Sequence, residues 1–188
     1  VIESDAFPSD RYAVQSQLKF HGFDPEEGLI EWKPREGEEL LRIEDLEQIV
    51  SEQGDEIALL LIGGVNYYTG QYLDLKRIAE IGHAKDCFVG IDLAHGAGNI
   101  SPELHASGVD FAAWCTYKYL NGGPGSPAFI YVSPNHLSSI EPALFGWHGH
   151  IAPFDFSLDY EASKDIDKMR IGSPSIISFA SLNHALDI

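Results

Sequence analysis

Lys118 stands at the end of the apolar, aromatic run AAWCTYK, just before the glycine-rich stretch YLNGGPG. An ammonium at the end of a buried strand is costly unless it is paired, reaches water along its own stem, or loses its proton. In the last case the free amine is a nucleophile that condenses with an aldehyde as a Schiff base. Asp92 closes a second apolar run, CFVGID, 26 positions earlier. That interval holds one short helix and one strand, so the two residues can end neighbouring strands. His95 follows in DLAHGAGN, and Phe7 and Asp10 lie in FPSD.

Among cofactors, pyridoxal 5'-phosphate (PLP) is the commonest aldehyde partner of such a lysine, and its pyridine nitrogen needs an acidic residue to stay protonated. Asp92 suits that role. An aromatic ring stacked on the cofactor and hydroxyl, indole or amide donors for its phosphate would complete a site. Each residue also has a plainer reading. A strand-end Asp often caps a helix or forms a turn, and a lone Lys is usually solvated. His95, Trp147 and Phe7 can each simply pack. His148 and His150 form an H-x-H pair that His95 and Asp92 could join around a metal, although neither H-E-x-x-H nor C-x-x-C occurs. The residues alone therefore leave a PLP site, a metal site and a non-catalytic domain open.

The elements that position these residues alternate. VIES is extended. FPSDRYAVQSQLKFHG reads as a helix, started by Pro8 and Ser9 and stopped by Gly22. Residues 24–39 are polar, with two prolines and two glycines, and read as loop. RIEDLEQIVSEQG is an amphipathic helix with Ile43, Leu46, Ile49 and Val50 on one face. IALLLIGG and CFVGID read as strands buried on both faces, with the helix DLKRIAEIGHAKD between them, capped by Asp74. VDFAAWCTY and AFIYVS are two further strands. This order predicts an α/β fold, a mostly parallel sheet with helices on both faces. In such sheets ligands bind beyond the carboxyl ends of the strands, where Phe7–Asp10, Gly63–Gly70, Asp92–Asn99 and Tyr117–Lys118 all fall.

Composition narrows the partners. The 188 residues carry 29 Asp and Glu against 12 Lys and Arg, a net charge of −17. Nucleic acid and anionic membrane surfaces both demand basic protein surface, so neither is expected. No run approaches the roughly 20 apolar residues of a membrane span. Cys87 and Cys115 lie in apolar runs and read as reduced thiols, which favours the cytoplasm. VIESDAF opens like the middle of a strand and ASLNHALDI ends inside a helical pattern, so the chain is expected to be a piece of a longer protein.

The motifs FPSD, REGEELLRIEDLE, GVNYYTGQ, DLAHGAGN, WCTYKYLNGGPG and GWHGH, in that order, resemble the kynureninase family of fold type I PLP enzymes. The resemblance runs through all 188 residues and implies that they form the central part of the PLP-binding large domain. The family's upstream phosphate-binding loop and its C-terminal small domain, with the substrate-carboxylate arginine, would lie outside. It implies that Lys118 carries the cofactor, that Asp92 pairs with the pyridine nitrogen, that Phe7 stacks on the ring, and that Asp10 and His95 belong to the cofactor contacts. Tyr117 and Trp147 would reach the phosphate, Tyr117 also as a candidate proton relay. Ser173 in RIGSP matches a polar position near cofactor and substrate. Gly63 stands where related sequences can carry a cofactor-contacting serine. The implied reaction is hydrolysis of the Cβ–Cγ bond of L-kynurenine or 3-hydroxy-L-kynurenine in tryptophan catabolism, on the route to NAD, by a homodimer. A cysteine desulfurase or an aminotransferase would use the same Asp and Lys, and only the long motifs discriminate.

Overall fold

The computed structural model describes residues 1–187. In chain order it holds β1 (Ile2–Glu3), α1 (Pro8–Phe20), α2 (Pro25–Gly28), β2 (Glu31–Trp32), α3 (Ile43–Gln53) and β3 (Leu59–Gly63). There follow α4 (Leu75–His83), β4 (Phe88–Asp92), α5 (Leu104–Ser107), β5 (Phe111–Cys115), β6 (Ala128–Val132) and α6 (Ile176–Leu186), with short 3₁₀ turns between some of them. β3, β4 and β5 pair in parallel, and β6 closes the row antiparallel to β5. β1 and β2 pair in parallel with each other. Val1 then stitches β1 to β3: its amino group donates to Leu59 O at 2.7 Å and its carbonyl accepts from Leu61 N at 2.9 Å. The strands therefore run in the order β2-β1-β3-β4-β5-β6.

The antiparallel edge has a local cause. A parallel crossover needs a dozen or more residues, usually with a helix. The segment between β5 and β6 is a glycine- and proline-rich loop without one, so the chain turns back beside β5. Residues 24–39, read from sequence as loop, contain α2 and β2. Asp24 caps α2 by accepting from Glu26 N, and Trp32, fully buried, anchors β2 by donating its indole N–H to Arg42 O at 3.1 Å.

The core lies between the sheet and helices α3 and α4. Leu60, Ile62, Val89, Ile91 and Ala112 point to one face of the sheet and meet Leu46 and Val50 of α3 and Leu75, Ile78 and Ala79 of α4. α4 begins as the sequence predicts, with Asp74 accepting from Arg77 N. Of the strands read as buried on both faces, β4 keeps Val89, Gly90 and Ile91 buried in succession, whereas in β3 burial alternates: Leu60 and Ile62 are buried and Leu59 and Leu61 half-buried; in β5 Ala113 is exposed. Period-2 geometry sends Leu59, Leu61 and Ala113 to the face opposite α3 and α4.

Candidate active site at the strand ends

Because β1, β3, β4 and β5 run in parallel, their carboxyl ends lie on one edge of the sheet. Gly63 at the end of β3 is the register partner of Asp92 at the end of β4, and Asp92 is the partner of Ala113 in β5. Beyond these ends the chain delivers Phe7 and Asp10 (after β1), Tyr67 (after β3), His95 (after β4), and Tyr117 and Lys118 (after β5). Gly98 lets the last two segments touch. Its φ is +80°, and a Cβ there would stand 2.8 Å from the Tyr119 backbone, which only glycine tolerates.

Lys118 Nζ stands 5.6 Å from the centre of the Phe7 ring and 5.9 Å from that of Tyr117. Phe7 meets Tyr67 edge-on at 5.2 Å, Tyr67 lies 6.3 Å from His95, and His95 lies 6.3 Å from Tyr119. Lysine, aromatic rings and imidazole thus share one rim. Asp92 Oδ1 accepts from Ala94 N at 2.7 Å, which fixes the carboxylate at the start of the loop.

Asp10 pairs with Asp92. Burial first, then the charge and hydrogen bond of Asp92 and the charge of Glu3, push Asp10 up to about 7, against the pull of Lys118. Beside Asp92, Asp10 therefore holds its proton more tightly than a free carboxyl, because two neighbouring carboxylates do not both ionise cheaply. Partial burial and the neighbouring Lys118 lower His95, with Asp92 opposing, so its imidazole is neutral at neutral pH. The Tyr117 hydroxyl is raised by its interaction with Cys115 and keeps its proton. The arrangement offers an amine nucleophile, a carboxyl pair holding one proton, and ring faces for a planar ligand.

Phe7, Asp10, Asp92, His95, Tyr117 and Lys118 therefore lie together on this edge. Trp147 and Ser173 lie in a separate cluster. Trp147 stacks on Phe156 and donates its indole N–H to Pro153 O, while Ser173 Oγ lies 3.3 Å from His148 Nε2. Sequence reasoning missed Tyr67, Tyr119, Asn66 and Glu3. Asn66 and Tyr67 follow a predicted strand end within GVNYYTGQ, a signal that was present; nothing in VIES marked Glu3. No group of three or more metal-ligating side chains is arranged to hold an ion among the described residues. A polar cavity of about 350 Å³ at the opposite edge is lined by His83, His105, His136 and Asn135, but its central carboxylate, Asp110, is already bonded to His83 and His136.

Comparison with known proteins bears on the family and the fold. The kynureninase of Homo sapiens is 46% identical over 190 residues, which take in 100% of this chain and 41% of the relative. That of Myxococcus xanthus is 46% identical over 191 residues, 100% of this chain and 45% of the relative. The chain thus spans less than half the length of these curated relatives. Among solved structures, a cysteine desulfurase from Thermococcus onnurineus NA1 superposes with a TM-score of 0.74 at 20% identity, covering 100% of this chain and 45% of its own. A cystine C–S lyase in complex with cysteine persulfide gives 0.79 at 17% identity, covering 99% and 48%. At such identities these two speak for the fold alone. The family model "Aminotransferase class-V" matches residues 26–188, and the chain belongs to that family.

Proposed function

We propose that this chain forms the lysine-bearing part of a PLP-dependent active site that hydrolyses the Cβ–Cγ bond of L-kynurenine or 3-hydroxy-L-kynurenine. The products are anthranilate, or its 3-hydroxy form, and L-alanine. The observation that carries the reading is the placement of Lys118 over Phe7 on the edge that also bears the Asp10–Asp92 pair. Identity to kynureninases along the whole chain selects the substrate class among activities that this fold can host.

The residues present fit PLP by the chemistry of their donor set. Lys118 offers the amine that its aldehyde requires. Asp92, with Asp10 sharing a proton, suits the pyridine nitrogen, and Phe7 and His95 offer flat faces to the ring. The Tyr117 hydroxyl would serve the phosphate, whereas Trp147, with its indole N–H given to Pro153 O, and Ser173, beside His148, lie in the separate cluster and are not assigned to the cofactor. When bound, PLP supplies an electron sink that stabilises negative charge at the substrate's Cα and Cβ. Asp92 would keep a proton at the pyridine nitrogen, with Asp10 beside it. Lys118, once its amine is free, moves a proton at the substrate's Cα. Neutral His95 packs without adding a second positive charge beside Lys118. Tyr117 is placed to relay a proton from its adjacent position.

The same reading makes the protein a cytoplasmic homodimer with its site near the subunit interface. Leu144, Phe145, Phe154, Phe156 and Leu158 are exposed in the segment that carries Trp147, the kind of apolar surface that a partner covers. Cys87 and Cys115 are unpaired, and no described helix is long and apolar enough to cross a membrane.

The test is borohydride trapping of PLP on the full-length protein, followed by peptide mapping and assay with L-kynurenine. Label on Lys118, and loss of both label and turnover in Lys118→Ala, are expected. Label elsewhere, or turnover retained by the variant, would overturn the assignment.

A further inference from the structure

Glu3 ends β1 and is 2% exposed. A buried carboxyl must be hydrogen-bonded, protonated, or both. Its Oε2 accepts from Gly63 N at 2.8 Å and its Oε1 from Asn66 Nδ2 at 3.3 Å. The carboxyl rests on the bare face of Gly63, where a Cβ would stand 2.8 Å from Oε1. It thus fills the space in which a serine side chain would have lain. Since Gly63 is the register partner of Asp92, Glu3, Gly63 and Asp92 form a row across three adjacent strands at the edge of the site.

Asn66 extends the row into the loop after β3. Its Oδ1 accepts from Tyr68 N at 2.9 Å and Thr69 N at 3.0 Å, and its Nδ2 also reaches Asp5 O at 3.4 Å. Tyr67, held between these bonds, is the residue that meets Phe7 edge-on. One carboxyl therefore ties β1, which leads through Phe7 into α1 and Asp10, to the end of β3 and to the loop that carries Tyr67, and Gly63 in turn sits beside Asp92 on the next strand.

We propose that Glu3 is a positioning residue of the cofactor site, one that holds the Tyr67 loop against Phe7 and adds a third ionisable carboxyl to the Asp10–Asp92 pair. The inference rests on the PLP reading above. The titratable groups around it are Asp5 on the turn after β1, Asp10 in the first turn of α1, Asp92 on β4, and Lys118 and His95 beside Asp10 and Asp92. Burial pushes Glu3 up to about 7, the bonds from Gly63 and Asn66 hold it back, and the charges of Asp92 and Asp5 add to the rise. Glu3 and Asp10 consequently lose their protons in linked steps as pH rises, both beside Asp92.

Glu3→Gln in the full-length protein keeps the size and an acceptor oxygen but removes the titration. An ionised carboxylate beside the site favours its protonated forms. The variant is therefore expected to lower the pH midpoint of the bound PLP absorption by about one unit, about tenfold in proton affinity. A second readout uses the cofactor-free protein in urea. Glu3 binds its proton more tightly folded than unfolded, so its stabilising contribution is complete below its unfolded value and is lost as pH rises towards 7. The wild type should lose stability relative to Glu3→Gln across that interval. A role in packing alone would lower the variant's stability equally at every pH and leave the midpoint unmoved; that result would overturn the proposal. If the wild type failed to bind PLP, the cofactor reading would fall, and the pH slope of the cofactor-free protein would still decide whether Glu3 titrates within this carboxyl row.

Discussion

Asp110→Ala should cost the protein several kcal/mol of stability, and the amount follows from three bonds. The Asp110 carboxylate is 6% exposed at the start of β5. Oδ2 accepts from Val89 N at 2.6 Å and lies 3.0 Å from His83 Nε2, while Oδ1 lies 2.6 Å from His136 Nε2. Val89 is fully buried, so its N–H is left without a partner, at about 1–3 kcal/mol. The two histidine bonds involve half-exposed rings and contribute about 0.5–1.5 kcal/mol each. The expected loss is therefore about 2–6 kcal/mol at neutral pH. Its pH dependence has a defined sign. Burial alone would raise Asp110, but the bonds from His83, His136 and Val89 N–H outweigh it and hold the group below its ordinary value. A depressed carboxyl stabilises above its unfolded value, about 3.9, and the contribution disappears as pH falls through the folded value. Urea unfolding of wild type and variant, followed by circular dichroism from neutral to acid pH, measures both quantities. PLP trapping on Lys118 should be unchanged, because Asp110 sits at the opposite edge of the sheet. A difference below about 0.5 kcal/mol at neutral pH, or one that did not shrink on acidification, would refute the reasoning.

Gly90→Ala should destabilise by about 1–3 kcal/mol, because its Cβ would stand 2.1 Å from Phe111 Cζ on the adjacent strand. Phe111→Leu should recover part of the loss, and additive effects in a double-mutant cycle would show that the two sites do not meet. Asp10→Asn should abolish a step in PLP affinity near pH 7, since Asp10 is raised to about 7 by burial and Asp92. Affinity titrations across neutral pH test this, and a step that survived in the variant would assign it to another group.

Much of this protein could be read along the chain, because local rules apply where segments are long and periodic. The alternation of apolar runs with amphipathic helices located β3 and β4 to within two residues and α4 at its start, its end falling three residues early. Pro8 and Asp74 marked helix starts at which the structure begins α1 and α4. Lys118, Asp92 and Phe7 could be assembled in advance because parallel strands put their carboxyl ends on one edge, so order along the chain translates into position.

Tertiary structure alone decided the rest. β1 and β2 have two residues each, too short to carry a period, and they exist as strands only because β3 supplies hydrogen-bond partners to Val1 and β1 supplies them to β2. The direction of β6 was set by the lack of a crossover helix. Glu3, an acidic residue in a short extended segment, reads as solvent-exposed, yet Gly63 leaves room for its carboxyl and Asn66 supplies a donor. The raised Asp10 arises from burial and from Asp92, 82 positions away in sequence. Composition and periodicity report which residues prefer water and which face they occupy. They do not report which charges a fold brings together, because electrostatic coupling depends on distance and burial in space.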